Sequence, residues 1–431
     1  MSNCTLTPLR LSCEYLPQPL GLTERAPRLS WIVTSGQRAQ AQTAYQILVA
    51  PSLERLAADQ GTLWDSGYVE SDQTAHIPYQ GRELRSGERC YWKVRVWDQA
   101  GVASPYSEPA MVQMGLLSPD DWQAQWIGID PEPEPELGMT PGTYLRRGFQ
   151  IEGPVTHATL YATAKGVYRP YLNGERAGDI ELAPGWTDFR KRILVQAYDV
   201  TDLLHSGENT LGIVLADGWY SGYLGYQGIH RYYGSSPRAL AQLVIAYADG
   251  RTETIVTDRD WRASTGPILY SDIQMGEAYD ARREMPGWAS PGFDDAAWLA
   301  VQVEPREPGV LLQGEPNQPI RVTQEIAPRS VAEVAPGVFI FDLGQNLAGW
   351  ARLTVQGEAG TRIRLRFGEM LEPDGSLHTA NLRSARVTDY YTLKGDGVEV
   401  YEPTFVYHGF RYVELTGYPG TPARDAILAR V

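Results

Sequence analysis

Four dipeptides constrain this chain most: Asn173-Gly174, Asp249-Gly250, Asp374-Gly375 and Asp396-Gly397. Asn and Asp tolerate positive φ and glycine adopts it freely, so each pair predicts a tight turn between two strands. The flanking runs agree. THATLYATAKGVYRPYL leads into Asn173, and LAQLVIAY and TETIV enclose Asp249-Gly250. In RIRLRFGEM the residues Arg362, Arg364 and Arg366 face outward while Ile363, Leu365 and Phe367 face a core. YWKVRVW does the same, with Trp92, Val94 and Val96 on one face and Lys93, Arg95 and Trp97 on the other. A period of two is the mark of a half-buried strand.

The predicted fold is therefore all-β, as three consecutive β-sandwich domains. Residues 1–115 read as a fibronectin type III-like sandwich with Trp31, Tyr45 and Trp92 in its core. Its one helical piece is SLERLAAD, with Ser52 as N-cap. Residues 116–300 and 301–431 read as two jelly-roll-like sandwiches. The acidic, proline-rich DPEPEPELGMTPGT (130–143) is expected as an exposed loop. FDDAAW (293–298) is expected as a short helical turn, and Asp120-Asp121 and Asp294-Asp295 as helix caps.

At 431 residues the chain exceeds one ordinary core. Its net charge of −14 argues against nucleic acid or an anionic membrane as partner, since both need a basic face. The N-terminal residues lack a basic segment followed by an apolar run, and three unpaired cysteines (Cys4, Cys13, Cys90) suit a reducing compartment. A cytoplasmic protein is expected on both counts.

Twelve Trp and 25 Tyr stand against 8 Phe, a preference for rings with a polar edge. They concentrate in LADGWYSGYLGY (215–226) and the residues after it, interleaved with Gly218, Gly222, Gly225, Gly228 and Gly234. Such a stretch is too rich in glycine for a helix and too aromatic for a linker. Two readings stand: a loop whose rings bind the C–H faces of a sugar, or a loop whose rings pack it against a neighbour.

Catalytic patterns are sparse. The six histidines form no HExxH or HxH, and there is no GxSxG, GxxxxGK[ST] or helix-opening GxGxxG. Glu277 and Asp280 in GEAYDAR are candidates for chemistry, or for a salt bridge with Arg282 or Arg283. His408 in YHGFRY is expected to be buried and hydrogen-bonded.

Six segments together resemble the N-terminal part of bacterial α-L-rhamnosidases, glycoside hydrolase family 78. They are GWTDFRKRILVQAYDVTDLL, LADGWYSGYLGY, SDIQMGEAYDAR, FIFDLGQNLAGWARL, SLHTANLRSARVTDYYTLKG and EPTFVYHGFRYVELTGYPG. The resemblance implies an inverting hydrolase that releases terminal α-L-rhamnose from glycosides. It also implies an (α/α)6 catalytic barrel after these sandwiches, with a motif similar to DCPQRDERxGWxGD. No such segment occurs here, so no catalytic residue is carried over, and a truncated or split enzyme, inactive alone, is expected. Assembly with a separate barrel or self-association would follow. A stand-alone carbohydrate-binding or scaffold protein is the alternative. The second sandwich resembles modules that bind rhamnose with calcium. On that basis Asn173, Asp217, Trp219, Tyr220, Tyr223 and Tyr226 are the candidate carbohydrate-binding residues, with calcium as a possible ligand of this domain.

Overall fold

The computed structural model describes residues 4–431. Strands dominate it, and the chain forms two compact units. The first is built on residues up to Gln123 and takes in Val195–Ala197 and Leu312–Gln318; the second holds the rest.

In the first unit, Thr7–Cys13, Arg28–Thr34 and Ile77–Pro78 form one antiparallel sheet. Trp64–Asp65, Ala44–Ala50, Arg89–Trp97 and Ala110–Gln113 form the other. The alternation read in YWKVRVW holds: Trp92, Val94 and Val96 are buried in the core. Trp31 meets Tyr45 edge to face at 5.2 Å and donates its indole N–H to Gln42 at 3.0 Å. The Gln42 amide in turn donates to the carbonyls of Ser71 and Gln73, which satisfies this buried polar group. The helix Leu53–Ala57 is capped by Ser52, whose hydroxyl accepts from the Arg55 N–H. All three cysteines are free.

The second unit contains both remaining sandwiches. One sheet of the first of them runs Glu175–Arg176, Val167–Leu172, Gly207–Ala216, Thr143–Ile151, Arg262–Thr265 and Leu299–Ala300. The facing sheet is centred on Val155–Lys165 and Arg238–Tyr247, which pair along their whole length. Ala158, Leu160, Ala162 and Ala164 point from it into a core with Tyr168, Ile213, Leu243 and Trp261. The Asn173-Gly174 turn joins two paired strands, with φ of 54° and 87°, as the dipeptide demands.

Phe293–Trp298 is not helical. Arg146 explains why. It projects from the strand Thr143–Ile151, pairs with Asp295, and donates to the carbonyls of Trp288 (2.8 Å) and Ser290 (3.1 Å). The buried guanidinium draws the carbonyls of Trp288, Ser290 and Phe293 and the Asp295 carboxylate toward itself, and what remains is a single turn in which Asp294 accepts the Ala296 N–H and the Asp295 carbonyl the Trp298 N–H. Asp120 and Asp121 do lie in a short 3-10 helix, but the cap is Ser118, with Asp121 closing a capping box.

The last sandwich is organised by one long strand, Val338–Gln356. Its first part pairs with His408–Thr416, and its second part with Ile427–Arg430 and Val398–Tyr401. The register with His408–Thr416 shifts between Asp342 and Leu347, where Gly344 takes φ 80°, and pairing with Ile427–Arg430 begins only at Trp350. Arg362–Gly368 keeps the expected alternation, with Ile363, Leu365 and Phe367 buried. The hairpin Ile268–Asp272 and Gly276–Asp280 belongs to this sheet and pairs in parallel with Thr388–Thr392. It is one covalent and hydrogen-bonded link between the two sandwiches of the unit; Arg169, which donates to the Thr404 carbonyl, is another.

A candidate carbohydrate-binding loop

The strand Gly207–Ala216 delivers Asp217 to the base of the glycine–aromatic loop. A four-residue helix, Gly218–Ser221, follows, then the strand pair Tyr223–Leu224 and Ile229–His230. Two glycines make this path possible. Gly218 has φ 49°, and a Cβ there would lie 2.5 Å from the Val167 side chain. A Cβ on Gly222 would lie 2.3 Å from the Asp272 carboxylate.

Two buried carboxylates anchor the loop. Asp217 is 0% exposed and accepts the Thr140 N–H at 2.8 Å and the Ser221 hydroxyl at 2.7 Å. Asp272 accepts the N–H groups of Tyr223 (2.7 Å), Gln274 (2.8 Å) and Met275 (2.8 Å). Burial pushes both carboxyls up, Asp272 to about 6, with the nearby Asp217 adding to its shift.

The six residues expected at a carbohydrate site divide by what they touch. Asn173 spends its side chain inside the protein: its amide donates to Leu203 O (2.8 Å) and Asn209 (2.7 Å), and its carbonyl accepts the Thr210 N–H (2.8 Å). Asp217 is sealed. Trp219 is buried, and Tyr220 packs on Phe189 at 5.4 Å. Tyr223 stacks on His230 at 4.4 Å and donates its hydroxyl to Leu137 O. Tyr226 alone of the six is open, at 70% exposure, with the Arg383 guanidinium 4.1 Å over its ring.

Two further rings are exposed, Trp186 (56%) and Tyr232 (47%). The Trp186 indole reaches the Tyr233 hydroxyl at 3.4 Å, and Arg190 lies over both Tyr232 and Tyr233. Trp186 was not among the expected residues. It sits in GWTDFRK, some thirty residues before the loop, and only the fold places it beside Tyr233.

The Asp217 and Asp272 carboxylates, the acids nearest the loop, are turned to N–H and O–H donors of the protein. Among the described residues no group of three or more His, Cys, Asp or Glu side chains is placed to hold a metal.

The two acids of GEAYDAR differ in fate. Asp280 forms the expected salt bridge with Arg282, through two contacts of 2.8 and 2.7 Å. Glu277 is fully buried and accepts Ser271 Oγ (3.0 Å), the Thr404 N–H (2.9 Å) and the Tyr401 hydroxyl (3.2 Å). Burial, with Asp389 adding, pushes its carboxyl up to about 7. His408 is buried too, with Nε2 3.2 Å from Asp389.

Comparison with known proteins identifies the whole arrangement. Residues 8–118 match the Rha78A-like N-terminal immunoglobulin domain, 153–324 the α-L-rhamnosidase N-terminal domain, and 332–431 the bacterial α-L-rhamnosidase concanavalin-like domain. The chain carries the successive N-terminal domains of α-L-rhamnosidases. An α-L-rhamnosidase of Streptomyces avermitilis is 35% identical over 97% of this chain, and one of Alteromonas sp. (strain LOR) is 39% identical over 97%. The crystal structure of the S. avermitilis α-L-rhamnosidase complexed with L-rhamnose superposes with a TM-score of 0.93 at 34% identity, covering 99% of this chain. That of the Aspergillus terreus enzyme gives 0.91 at 36% identity over 99%. This chain spans 56% and 46% of the two sequence relatives, and 57% and 49% of the two structures, in their N-terminal part.

Proposed function

We propose that these 431 residues are the accessory, non-catalytic sandwiches of an α-L-rhamnosidase, acting on rhamnose-containing glycosides and carrying no hydrolytic centre of their own. The observation that carries this is the match of three successive family domains across nearly the whole chain, against about half the length of each relative. The buried acids fit. Glu277, whose raised pKa would suit a general acid, is sealed under Thr404 and Tyr401, where no sugar oxygen can reach it. The test is turnover of p-nitrophenyl α-L-rhamnoside by the purified chain. Background hydrolysis is expected; robust turnover lost on mutating one carboxylate of the chain overturns the proposal.

The same chain is proposed to contact carbohydrate through the loop that carries Tyr226, with Trp186 and Tyr232 exposed near it in the fold. Open, rigid rings with polar edges are what the C–H face of a sugar packs on. Titration with L-rhamnose separates this from a purely scaffolding role: Tyr226→Ala and Trp186→Ala weaken binding if the rings touch sugar and leave it unchanged if they do not.

A further inference from the structure

A second aromatic feature lies away from the loop. A cleft of about 340 Å³ opens within the second unit, lined by Tyr144, Tyr171, Tyr279, Glu284, Trp288 and Thr404 among others. Its floor follows from strand register. Tyr144 and Arg146 alternate outward from one strand, and Gly212 lies opposite both Arg146 and Tyr171 in the next pairings. Gly212 leaves the gap that the Trp288 indole fills: a Cβ there would come within 2.8 Å of the ring.

The Trp288 ring is fixed from several directions. It meets Tyr144 edge to face at 5.1 Å and Tyr171 at 5.4 Å, and stacks on Trp298 at 6.4 Å. Its carbonyl is held by Arg146 at 2.8 Å. A ring so held loses little freedom when a ligand lands on it. Beside it, the half-buried Glu284 carboxylate accepts the Tyr279 hydroxyl at 3.1 Å and the Lys394 ammonium at 2.8 Å. Lys394 balances the charge of Glu284, so the cleft offers acceptor oxygens and ring surfaces without a net charge to attract an ion.

We propose that the Trp288 cleft binds a neutral pyranose unit, its C–H face on the Trp288 and tyrosine rings and a hydroxyl donating to Glu284. The volume lies at the low end of small-ligand sites, roughly 300–1,000 Å³, which suits one or two rings and not a long chain. This deepens the carbohydrate-binding reading of the protein and places a contact outside the Tyr226 loop.

The experiment is saturation-transfer NMR and fluorescence titration of the full chain with methyl α-L-rhamnopyranoside, in the parent, Glu284→Gln, Trp288→Ala and Tyr226→Ala forms. Glu284→Gln keeps shape and tests the acceptor even if Trp288→Ala folds poorly; thermal melts report folding of each. Binding weakened about tenfold or more in Glu284→Gln and Trp288→Ala, and retained in Tyr226→Ala, is expected. Binding lost in Tyr226→Ala but kept in Glu284→Gln overturns the cleft and leaves the loop standing. Absence of binding by the parent overturns both. A parallel titration with choline chloride covers the other ligand that aromatic rings attract: choline displacing the rhamnoside from the parent overturns the neutral-sugar assignment.

Discussion

The backbone N–H of Glu277 donates to the Asp389 carboxylate at 2.9 Å, joining two acids that are both closed to water. Asp389 faces His408 on its other side, and Glu277 faces Ser271, Tyr401 and the Thr404 N–H. Glu277 is raised from 4.5 to about 7, so the folded protein holds a proton that the unfolded chain releases between those values. Its contribution is fully present below pH 4.5 and is lost as pH rises through about 7. Urea midpoints are expected to fall across this window by a contribution on the order of 3 kcal/mol. Glu277→Gln keeps the acceptor for the Thr404 N–H and flattens the dependence; Asp272, raised to about 6 by burial, leaves a residual slope of the same sign. An unchanged pH profile in the variant would refute the assignment.

Asn173 combines a positive φ with four side-chain hydrogen bonds, to Leu203, His205, Asn209 and Thr210. Asn173→Ala leaves Leu203 O and Asn209 without their donor and strains the backbone, so a loss of about 2–3 kcal/mol is expected in denaturant titration. Asn173→Gly relieves only the strain and recovers only part of the loss. Equal stability of both variants with the parent would show that these bonds carry no weight.

Gly212 is the one position in its strand where the Trp288 ring needs bare backbone. Gly212→Ala is expected to push the ring off the sheet and cost about 1–3 kcal/mol. Trp fluorescence shifted toward solvent-exposed values, with the rest of the fold intact by circular dichroism, is the accompanying readout.

Trp219 and Tyr226 sit seven residues apart and have opposite surroundings. Trp219→Ala empties a buried site and is expected to cost about 3–5 kcal/mol. Tyr226→Ala removes a side chain that is 70% exposed and is expected to stay within about 0.5 kcal/mol of the parent. Calorimetric melts decide both; a large loss in Tyr226→Ala would mean that Arg383 and Tyr226 hold the loop rather than present it.

Much of this architecture is legible residue by residue. The alternation in RIRLRFGEM and YWKVRVW, and the positive φ of Asn173, Gly174 and Gly250, are local properties, and the strands and turns stand where they place them. FDDAAW departs from its expectation because Arg146, some 150 residues earlier, claims Asp295 and the neighbouring carbonyls. No local pattern announces such a partner.

The glycine–aromatic loop shows where the two levels separate. Its composition determines that the segment is a shaped loop, since those glycines hold no helix longer than the single turn Gly218–Ser221 and those rings bury much of their surface on one another. Which rings face outward is decided by tertiary contacts: Phe189 takes Tyr220, His230 takes Tyr223, and Tyr226 is left to solvent with Arg383. The Trp288 cleft lies wholly on the tertiary side. Its residues come from positions 144 to 404, and only strand register and one missing Cβ at Gly212 bring them to a single surface. Side-chain type and spacing act over a few residues, whereas a binding surface depends on register and packing, which are set by the whole core at once.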